Sequence, residues 1–285
     1  MKRFLKQCFN RFLPSALRDF IKRRLKSKFT CAADANVIVE EMESALRCTI
    51  DNSWSFLAPR ACKIDLANFA DTLEGRAEIH SILCAARDGG VLFDIGAHSG
   101  LVSAVFCAAN PRNKVFSFEP STVLVERLFA IRELNQFGER MCIEPTGIGD
   151  ATRTMEMVLD PAGGFIQTQR FDHTMWAAPK VVQVRLESIT DAASRLNVVP
   201  QFIKIDIESY EFEAIKGATE FLSRYKPTLF LELHLNYLEQ RNVSAKVIVD
   251  MLRQCGYAFY TPAGRELKAR EVYDSPLSNV HVVAR

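Results

Sequence analysis

Carboxylates and glycines with the spacing of a ligand site occur between residues 91 and 119. Asp94 lies near the end of a short apolar run, and Gly96 and Gly100 bracket the turn that follows it. Glu119 comes directly after the next apolar run. Short apolar runs are typical of parallel strands that helices cover on both faces. Because ligands of open α/β sheets lie beyond the carboxyl ends of the strands, we expect these four residues to converge on one site.

Two kinds of cofactor use a glycine turn that is followed by an acid. A carboxylate about 20 residues after the turn, as Glu119 is, commonly accepts hydrogen bonds from a ribose diol. A dinucleotide also needs the G-x-G-x-x-G spacing that lets the backbone approach a pyrophosphate, and this turn has one wider spacing instead. S-adenosylmethionine has a ribose but no phosphate, and its two cationic groups favour acidic neighbours such as Asp94. The turn therefore favours S-adenosylmethionine, with a purely structural strand-turn-helix as the alternative.

Ionisable residues are also concentrated at the ends of two later apolar runs. Asp206 and Glu208 end one run, and Glu232 and His234 end the next. The members of each pair are two residues apart, so on an extended strand their side chains point to the same face. Ionisable groups are costly in a core, which favours a catalytic role for these residues. Helix capping or pairing with neighbouring lysines is the structural alternative for one or two of them.

The elements that position these residues follow from the hydrophobic pattern. Segments with strand and helix character alternate along the chain, which indicates parallel pairing with right-handed crossovers. We therefore predict an α/β fold with a doubly wound, seven-stranded sheet. The strands are predicted at residues 91–95, 114–118, 141–148, 202–207, 228–233, 257–261 and 279–283. The helices are predicted at residues 35–47, 78–86, 101–109, 122–135, 187–196, 210–222 and 245–254.

One insertion interrupts this alternation after the third strand. Residues 153–159 and 181–186 alternate in the manner of antiparallel strands, and the loop between them contains Pro161, Gly163 and Gly164. The hairpin follows a strand that ends near the predicted site. We expect it to form a lid or a substrate wall, with an ordinary edge hairpin as the alternative.

The N-terminal part of the chain differs in charge from the rest. Residues 1–28 contain ten lysines and arginines but only one acid, Asp19, and their apolar residues recur at helical spacing. This pattern predicts a basic amphipathic helix that contacts an anionic membrane surface or an assembly partner, or that packs on its own domain. No apolar run is long enough for a signal sequence or a membrane span. We divide the chain into a basic helical extension, residues 1–75, and a main domain, residues 76–285.

Composition limits the class of protein. The chain has 285 residues, of which 48% are hydrophobic, and a net charge of +2. This is enough for one large core, and it gives no global reason to expect a nucleic-acid partner. The eight cysteines include no C-x-x-C pair. We therefore expect reduced thiols in a cytoplasmic protein, peripheral at most to the inner membrane surface. The sequence predicts no oligomeric state.

Four sequence motifs resemble the FkbM family of S-adenosylmethionine-dependent methyltransferases. They are the turn FDIGAHSG, the acid in FSFEP, the segment IKIDIESYEFEAIKGA and the segment PTLFLELH. The third motif is the most specific, and together the four span residues 91–234. The resemblance implies the class I methyltransferase fold, which is Rossmann-like. The family usually has glycine where this chain has Ser209, so we expect a negative φ and an altered loop there.

The resemblance also implies a reaction, in which a methyl group passes from a sulfonium to a hydroxyl oxygen. The acceptor would be a glycan or a small-molecule metabolite. A nucleic acid is not expected, because an N-P-P-Y type motif is missing after the fourth strand. The implied cofactor contacts are Gly96, Ala97 and Gly100 on the methionine and ribose side, Glu119 at the ribose, Asp94 at the turn or the ammonium, and Asp150 or Gly149 at the adenine amino group.

The predicted catalytic residues are Asp206, Glu208 and His234. Asp206 adjoins the point where the strand order reverses, which favours it as the catalytic centre. His234 is the expected general base, since an unperturbed imidazole titrates near neutrality, and a structural histidine is the alternative. Asp206, Glu232 and His234 also offer ligands for a divalent metal, which stays open. Two other functions are weighed: a dinucleotide-dependent oxidoreductase or epimerase, which the turn disfavours, and a non-catalytic scaffold that binds partners through the N-terminal helix.

Overall fold

The computed structural model of the chain describes residues 35–159, 164–166 and 180–285. The strands are β1 (Val37–Glu41), β2 (Leu46–Ile50), β3 (Trp54–Ala58), β4 (Val91–Ile95), β5 (Lys114–Phe118), β6 (Met141–Glu144), β7 (Gly147–Gly149), β8 (Arg153–Leu159), β9 (Gly164–Ile166), β10 (Lys180–Ser188), β11 (Phe202–Ile205), β12 (Thr228–His234), β13 (Phe259–Tyr260), β14 (Glu266–Leu267) and β15 (Asn279–Ala284). The α-helices are α1 (Lys63–Asp71), α2 (Leu73–Ala86), α3 (Leu101–Ala109), α4 (Thr122–Leu134), α5 (Ile189–Leu196), α6 (Glu211–Lys216), α7 (Thr219–Tyr225), α8 (Leu235–Gln240), α9 (Ala245–Gln254) and α10 (Ala269–Tyr273).

Eight strands of the described residues form the main sheet, in the order β14-β13-β15-β12-β11-β4-β5-β6. β6, β5, β4, β11 and β12 pair in parallel, whereas β15 is antiparallel to both β12 and β13. The chain moves outward from β4 to β6 and then crosses to β11 on the other side of β4. The strand order therefore reverses between β4 and β11, where a ligand site is expected. The prediction of a doubly wound α/β sheet is confirmed, and the two-residue β14 adds an eighth strand at the edge.

The prediction of one strand over residues 141–148 is wrong, because the chain leaves the main sheet within this segment. β6 ends at Glu144, and the N–H of Thr146 donates to the carbonyl of Glu144 at 2.7 Å, so the backbone turns there. Pro145 lies at this turn and has no N–H to continue a strand ladder. The following strand, β7, pairs in parallel with β10 in a second sheet.

The second sheet, β7-β10-β8-β9, contains the insertion. β8 and β10 pair antiparallel as the alternation predicts. β10 continues to Ser188, so the next helix begins at Ile189 and not at residue 187. The Ser188 hydroxyl accepts the N–H of Asp191 at 3.0 Å and caps that helix. Of the loop between β8 and β10, only residues 164–166 are described; Pro161 and Gly163 lie outside the described residues.

The helix predicted at residues 210–222 is two helices, α6 and α7, which are separated at Gly217 and Ala218. A Cβ atom on Gly217 would lie 2.6 Å from the backbone of Asp150. The break therefore lies where the chain passes close to the end of β7.

The described part of the N-terminal region is a three-stranded antiparallel sheet, β1-β2-β3. The helix predicted at residues 35–47 is wrong. Val37, Ile38 and Val39 are β-branched, which disfavours a helix, and β1 pairs with β2 along its whole length. Buried side chains of β2 and β3 share a hydrophobic core with α2 and α3. The boundary between residues 75 and 76 stays a prediction, and the helix predicted in residues 1–28 lies outside the described residues.

Aromatic packing holds the two strands that end at the site. Phe93 on β4 packs edge-to-face against Phe116 and Phe118 on β5, with ring centroids 5.6 and 5.2 Å apart. Such pairs contribute about 0.5–1.5 kcal/mol each beyond the area they bury.

Among the described residues, every helix is too short or too polar to cross a membrane.

Candidate active site

A cleft of about 460 Å³ lies at the carboxyl ends of β4, β5, β11 and β12. Residues of the glycine turn, of α1 and of α2 line it. The cleft therefore occupies the place where the strand order reverses. Its lining includes seven residues that the sequence singles out, which are Gly96, Ala97, Glu119, Asp206, Glu208, Glu232 and His234. Met157 of β8, in the insertion, also lines it.

The glycine turn is shaped by two backbone positions in the left-handed region. Gly96 has a φ of +74°, and a Cβ atom there would lie 1.9 Å from the carbonyl oxygen of Asp206. Gly100 has a φ of +87°, and a Cβ atom there would lie 2.6 Å from the Leu128 side chain. Only glycine fits both positions without movement of the neighbours. Gly100 lies behind the turn and is not part of the cleft lining, whereas Gly96 and Ala97 are.

Glu119 is held at the cleft by two backbone hydrogen bonds. One carboxylate oxygen accepts the N–H of His98 and the other accepts the N–H of Ser121, each at 2.9 Å. The residue is only 6% exposed, and burial raises the pKa of Glu119 to about 7 although both N–H groups oppose the rise. Each oxygen keeps lone pairs for a further donor. The arrangement can accept two hydroxyl groups of one ligand.

Asp94 lies beneath the turn and does not line the cleft. It is fully buried, and one carboxylate oxygen accepts a hydrogen bond from the Ser103 hydroxyl at 2.5 Å. The Ser103 hydroxyl lies 2.7 Å from that of Ser117. Burial raises the pKa of Asp94, and Lys204 opposes the rise. This position agrees with a role in orienting the turn and not with direct contact to a ligand in the cleft.

Asp150 and Gly149 are not brought to the cleft lining. The Asp150 carboxylate pairs with Arg153 and lies 3.8 Å from the ammonium of Lys216. Gly149 packs against the ring of Tyr210, which would lie 3.1 Å from a Cβ atom at this position. A contact of either residue with an adenine amino group stays a prediction, and the described cleft gives it no support.

Lys204 and Asp206 form an ion pair at the end of β11. The Lys204 ammonium is 2.8 Å from an Asp206 carboxylate oxygen and also donates to the carbonyl of Gly96 at 3.4 Å. Burial tends to raise the pKa of Asp206, but Lys204 and then His234 outweigh it, and the net shift is downward. Lys204 is 5% exposed, and it keeps its charge because Asp206 and Asp94 raise its pKa against the effect of burial. The pair links the turn to β11.

His234 lies among four carboxylates at the end of β12. Its Nδ1 is 3.1 Å from Oε1 of the buried Glu211, and its Nε2 faces Glu208, Glu232 and Asp206 at 3.4, 3.6 and 3.7 Å. Burial would lower the pKa of His234, but the hydrogen bond to Glu211 and the charge of Glu208 raise it to about 9. The expectation that His234 titrates near neutrality does not hold in this ligand-free cluster.

In the loop after β11, Ser209 has a backbone conformation that is typical of glycine. Ser209 has a φ of +81°, so the expected negative φ is wrong. Glu208 before it is also left-handed, with a φ of +53°. Arg241 donates to the carbonyl of Ser209, and Oε1 of Glu211 accepts the Ser209 N–H at 3.1 Å. These contacts hold the loop in the left-handed conformation. Ser209 is therefore strained, and the altered loop that the sequence predicts does not form.

Several cleft residues have no signal in the sequence motifs. They include Glu78, whose pKa burial raises to about 7 while Lys204 opposes the rise, and His281, 3.6 Å from Glu232. They come from α1, from α2 and the residue before it, and from β15, which lie outside the four motifs. The spacing of residues within one motif cannot reveal such contacts. The unpredicted lining residues from these parts of the chain are Asp65, Asn68, Phe69, Thr72, Glu74, Gly75, Glu78, Asn279 and His281.

Residues 94–259, more than half of the chain, match the family model of the methyltransferase FkbM domain. No curated protein sequence matches the chain.

Three solved structures illustrate the structural similarity. A methyltransferase FkbM from Methylobacillus flagellatus KT has a TM-score of 0.44 and 19% identity, over 69% of this chain and 43% of that one, so this chain spans less than half of that protein's length. A SAM-dependent methyltransferase from Agrobacterium tumefaciens has a TM-score of 0.44 and 10% identity, over 86% and 70% of the two chains. A precorrin-6y C5,15-methyltransferase from Geobacter metallireducens GS-15 has a TM-score of 0.38 and 15% identity, over 75% and 87%.

Proposed function

The chain belongs to the FkbM methyltransferase family, and from this membership we propose that it is an S-adenosylmethionine-dependent methyltransferase that methylates a hydroxyl oxygen. The acceptor is a glycan or a small-molecule metabolite. The observation that carries the proposal is Glu119, a carboxylate that two backbone N–H groups hold beside the glycine turn. Its free lone pairs match the two hydroxyls of a ribose.

The cofactor fits the geometry of the turn. Gly96 and Ala97 present backbone and a small side chain to the cleft beside Glu119, where the ribose and methionine parts bind. The turn lacks the second closely spaced glycine that a pyrophosphate needs. This supports S-adenosylmethionine over a dinucleotide, and the oxidoreductase alternative has no feature of the cleft in its favour.

The reaction is an in-line displacement at the methyl carbon. The acceptor oxygen attacks this carbon, a new carbon–oxygen bond forms, and the carbon–sulfur bond breaks with its electron pair returning to sulfur. The products are the methyl ether and S-adenosylhomocysteine. The hydroxyl proton passes to a carboxylate of the cleft and from there to water. Most of the rate advantage comes from bringing the two reactants into line.

We assign different roles to the predicted catalytic residues from the exposure of their side chains. Among the four carboxylates around His234, Glu208 has the most exposed side chain, at 39%, and it lines the cleft. We assign proton acceptance to Glu208. Asp206, fixed by Lys204, orients the acceptor. His234 is 4% exposed and organises the carboxylates that surround it. This replaces the assignment of His234 as the general base.

The acceptor side of the cleft is polar and suits a hydroxyl-rich molecule. Glu78, Glu232 and Asn279 line it together with Glu208. Carboxylate and amide oxygens accept hydrogen bonds from hydroxyl groups, and this set offers several such oxygens within one cleft. A sugar or a polyhydroxylated metabolite matches these acceptors.

The basic segment of residues 1–28 supports a further, sequence-based part of the proposal, a peripheral contact with an anionic membrane surface. Its ten basic residues carry that suggestion. Removal of the segment is expected to spare cofactor binding and to abolish binding to anionic vesicles. Vesicle binding of the full chain should weaken with added salt, because salt screens the attraction. Binding that is absent or independent of salt would refute the membrane contact.

Calorimetry and product analysis test the function. The full chain is expected to bind S-adenosylmethionine and S-adenosylhomocysteine with one site each and to show no heat with NAD. With S-adenosylmethionine and a metabolite or glycan extract, mass spectrometry should detect a hydroxyl compound that gains one methyl group. Binding of NAD but not of S-adenosylmethionine would overturn the proposal. Cofactor binding with no methylated product from any extract would instead favour the scaffold.

A further inference from the structure

We propose that the cleft binds one divalent transition-metal ion, with Asp206, Glu232 and His234 as its protein ligands. The inference deepens the proposed function and rests on it for the role of the ion, but the binding site itself stands on the geometry of these side chains. One potential ligand atom from each of the three residues lies within 4.8 Å of the other two.

The two distances from the histidine nitrogen to the carboxylate oxygens match a metal site. His234 Nε2 lies 3.7 Å from Asp206 Oδ1 and 3.6 Å from Glu232 Oε1. Bonds of about 2.1 Å at tetrahedral angles would place ligand atoms about 3.4 Å apart. The present separations exceed this value by only a few tenths of an ångström. They are too long for hydrogen bonds between these atoms.

The orientation of His234 is a second observation that points to an ion. The residue is 96% buried, since only 4% of its surface is exposed, and its hydrogen bond to the described residues is made through Nδ1 to Glu211. Glu211 Oε1 also accepts the N–H groups of Ile207 and Ser209, so its position is fixed by the backbone. Nδ1 is therefore engaged by Glu211, and Nε2 is left facing the carboxylates of Asp206 and Glu232, where it can ligate an ion that displaces its proton. A carboxylate that holds the far nitrogen is the usual partner of a metal-binding histidine.

The two carboxylate ligands are anchored in a similar way. Oδ2 of Asp206 accepts a hydrogen bond from the Lys204 ammonium group, and Oδ1 is the oxygen that faces His234. Glu232 Oε1 accepts the side-chain N–H of Asn279 at 2.8 Å. Each ligand is thus held by a partner outside the set of three. Preorganised ligands bind a metal more tightly than mobile ones, because less freedom is lost on binding.

The chemistry of the ligands selects the class of ion. One imidazole nitrogen with two carboxylate oxygens suits Mn²⁺, Fe²⁺, Co²⁺ or Zn²⁺ better than Ca²⁺, which prefers six to eight oxygens. Three protein ligands leave open positions toward the cleft. An acceptor hydroxyl that occupies such a position would lose its proton more easily, and Glu208 lies close enough to receive it, 3.4 Å from Nε2.

Two other cations compete for the same cluster. A proton on Nε2 pairs His234 with the surrounding carboxylates, and a bound metal would have to displace it. An ammonium group of an amine acceptor would occupy the same negative region without a preference for the histidine nitrogen. A divalent ion is favoured because it alone would use Nε2 and both carboxylate oxygens, 3.6 and 3.7 Å away, as ligands together.

Cobalt titration of the full chain tests the site. Protein freed of metal by a chelator is titrated with Co²⁺, and binding is followed by visible absorption and by calorimetry. We expect one ion per chain. Asp206→Asn, Glu232→Gln and His234→Gln should each weaken binding tenfold or more, and Glu211→Gln should weaken it about 10–100-fold as a positioning residue. Asp250→Asn, a change of a surface carboxylate on α9, should leave the affinity unchanged.

A second measurement guards against variants that fail to fold. Pulsed electron paramagnetic resonance of Mn²⁺ bound to the unmodified chain should show coupling to one imidazole nitrogen. Absence of Co²⁺ binding, equal affinity in all folded variants, or Mn²⁺ without nitrogen coupling would overturn the metal site. Calorimetry with S-adenosylmethionine on the same metal-free protein separates the two proposals: cofactor binding without Co²⁺ binding leaves the methyltransferase proposal standing and removes the metal. Methylation of amines without Co²⁺ binding would assign the cluster to an ammonium group.

Discussion

The carbonyl oxygen of Asp206 lies 1.9 Å from the point that a Cβ atom on residue 96 would occupy. Gly96 begins the turn that we assign to the cofactor, and Asp206 lies at the end of β11 where the acceptor is proposed to bind. The absence of a side chain at residue 96 is thus what allows the two halves of the site to meet. Lys204 adds a direct link, since its ammonium group contacts both residues.

Gly96→Ala is therefore expected to separate the turn from β11 and to abolish cofactor binding. Forced overpacking of this kind costs typically about 1–3 kcal/mol of stability, and the positive φ adds about 1 kcal/mol. Thermal unfolding and calorimetry measure the two effects. Gly138→Ala is the matched control, because Gly138 also has a positive φ of +56° but nothing lies near its missing Cβ atom. Equal losses in both variants would show that the contact with Asp206 has no effect of its own.

Glu119→Ala should weaken S-adenosylmethionine binding by about 1–3 kcal/mol, the range for lost hydrogen bonds to a charged group. The physical reason is the loss of two acceptors for the ribose hydroxyls. Calorimetry on the folded variant provides the measurement, with the surface change Glu133→Ala as the control. An unchanged affinity in Glu119→Ala would remove Glu119 from the cofactor site.

Cofactor affinity should rise with pH up to about 7 and then level off. Burial raises the pKa of Glu119 to about 7 in the free protein, whereas ribose hydroxyls bind best to the ionised carboxylate. Below this pH the cofactor must displace a proton, so affinity should fall about tenfold for each unit of pH. The raised pKa of Glu119 also affects the stability of the protein without cofactor. Protonated Glu119 adds to the free energy of unfolding; this contribution is fully present below the pKa of the unfolded chain and is lost as the pH rises through about 7. Calorimetry at several pH values measures the cofactor affinity, and the affinity of Glu119→Gln should not change with pH over this range. Affinity that falls as the pH rises toward 7 would contradict the assignment.

The parts of this fold that the sequence predicts are those whose signals are local. The run from β4 through α3 to β5 has the predicted bounds, because apolar runs and the glycine turn mark it within 30 residues of chain. The helix predicted at residues 35–47 is wrong because an apparent helical spacing outweighs the β-branched residues at 37–39 in that prediction, and the pairing partner β2 cannot be read from this segment. Glu78 and His281 are missed for a related reason, as tertiary packing alone brings them to the cleft. The loop at Ser209 is contacted by Arg241, which lies far along the chain, and no local rule anticipates that contact.

Ser209→Gly should stabilise the protein by up to about 1 kcal/mol. A non-glycine residue in the left-handed region costs about 1–2 kcal/mol, and the greater freedom of glycine in the unfolded chain returns part of that gain. Denaturant unfolding measures the difference. Ser209→Ala, which keeps the strain and removes the hydroxyl, should show no gain, and a stable Ser209→Ala beside an unstable Ser209→Gly would refute the strained loop.

Asp206→Asn should abolish methyl transfer while it changes S-adenosylmethionine affinity only slightly, because Asp206 faces the acceptor side of the cleft. His234→Gln should lower the rate by roughly 10²-fold or more, within the range for loss of a group that organises proton transfer. Turnover of labelled S-adenosylmethionine and calorimetry are compared on the same preparations, with Asp250→Asn as the control. Normal turnover by Asp206→Asn would end its assignment to the catalytic centre.

We propose that one cleft holds the cofactor on Glu119 and presents its methyl group to the acidic cluster at Asp206. A crystal structure of the complex with S-adenosylhomocysteine would test this arrangement most directly. We expect both ribose hydroxyls within hydrogen-bonding distance of the Glu119 carboxylate and the sulfur atom on the side of the cleft that Asp206 and Glu208 line. A ribose bound away from Glu119, or a sulfur atom turned away from Asp206, would contradict it.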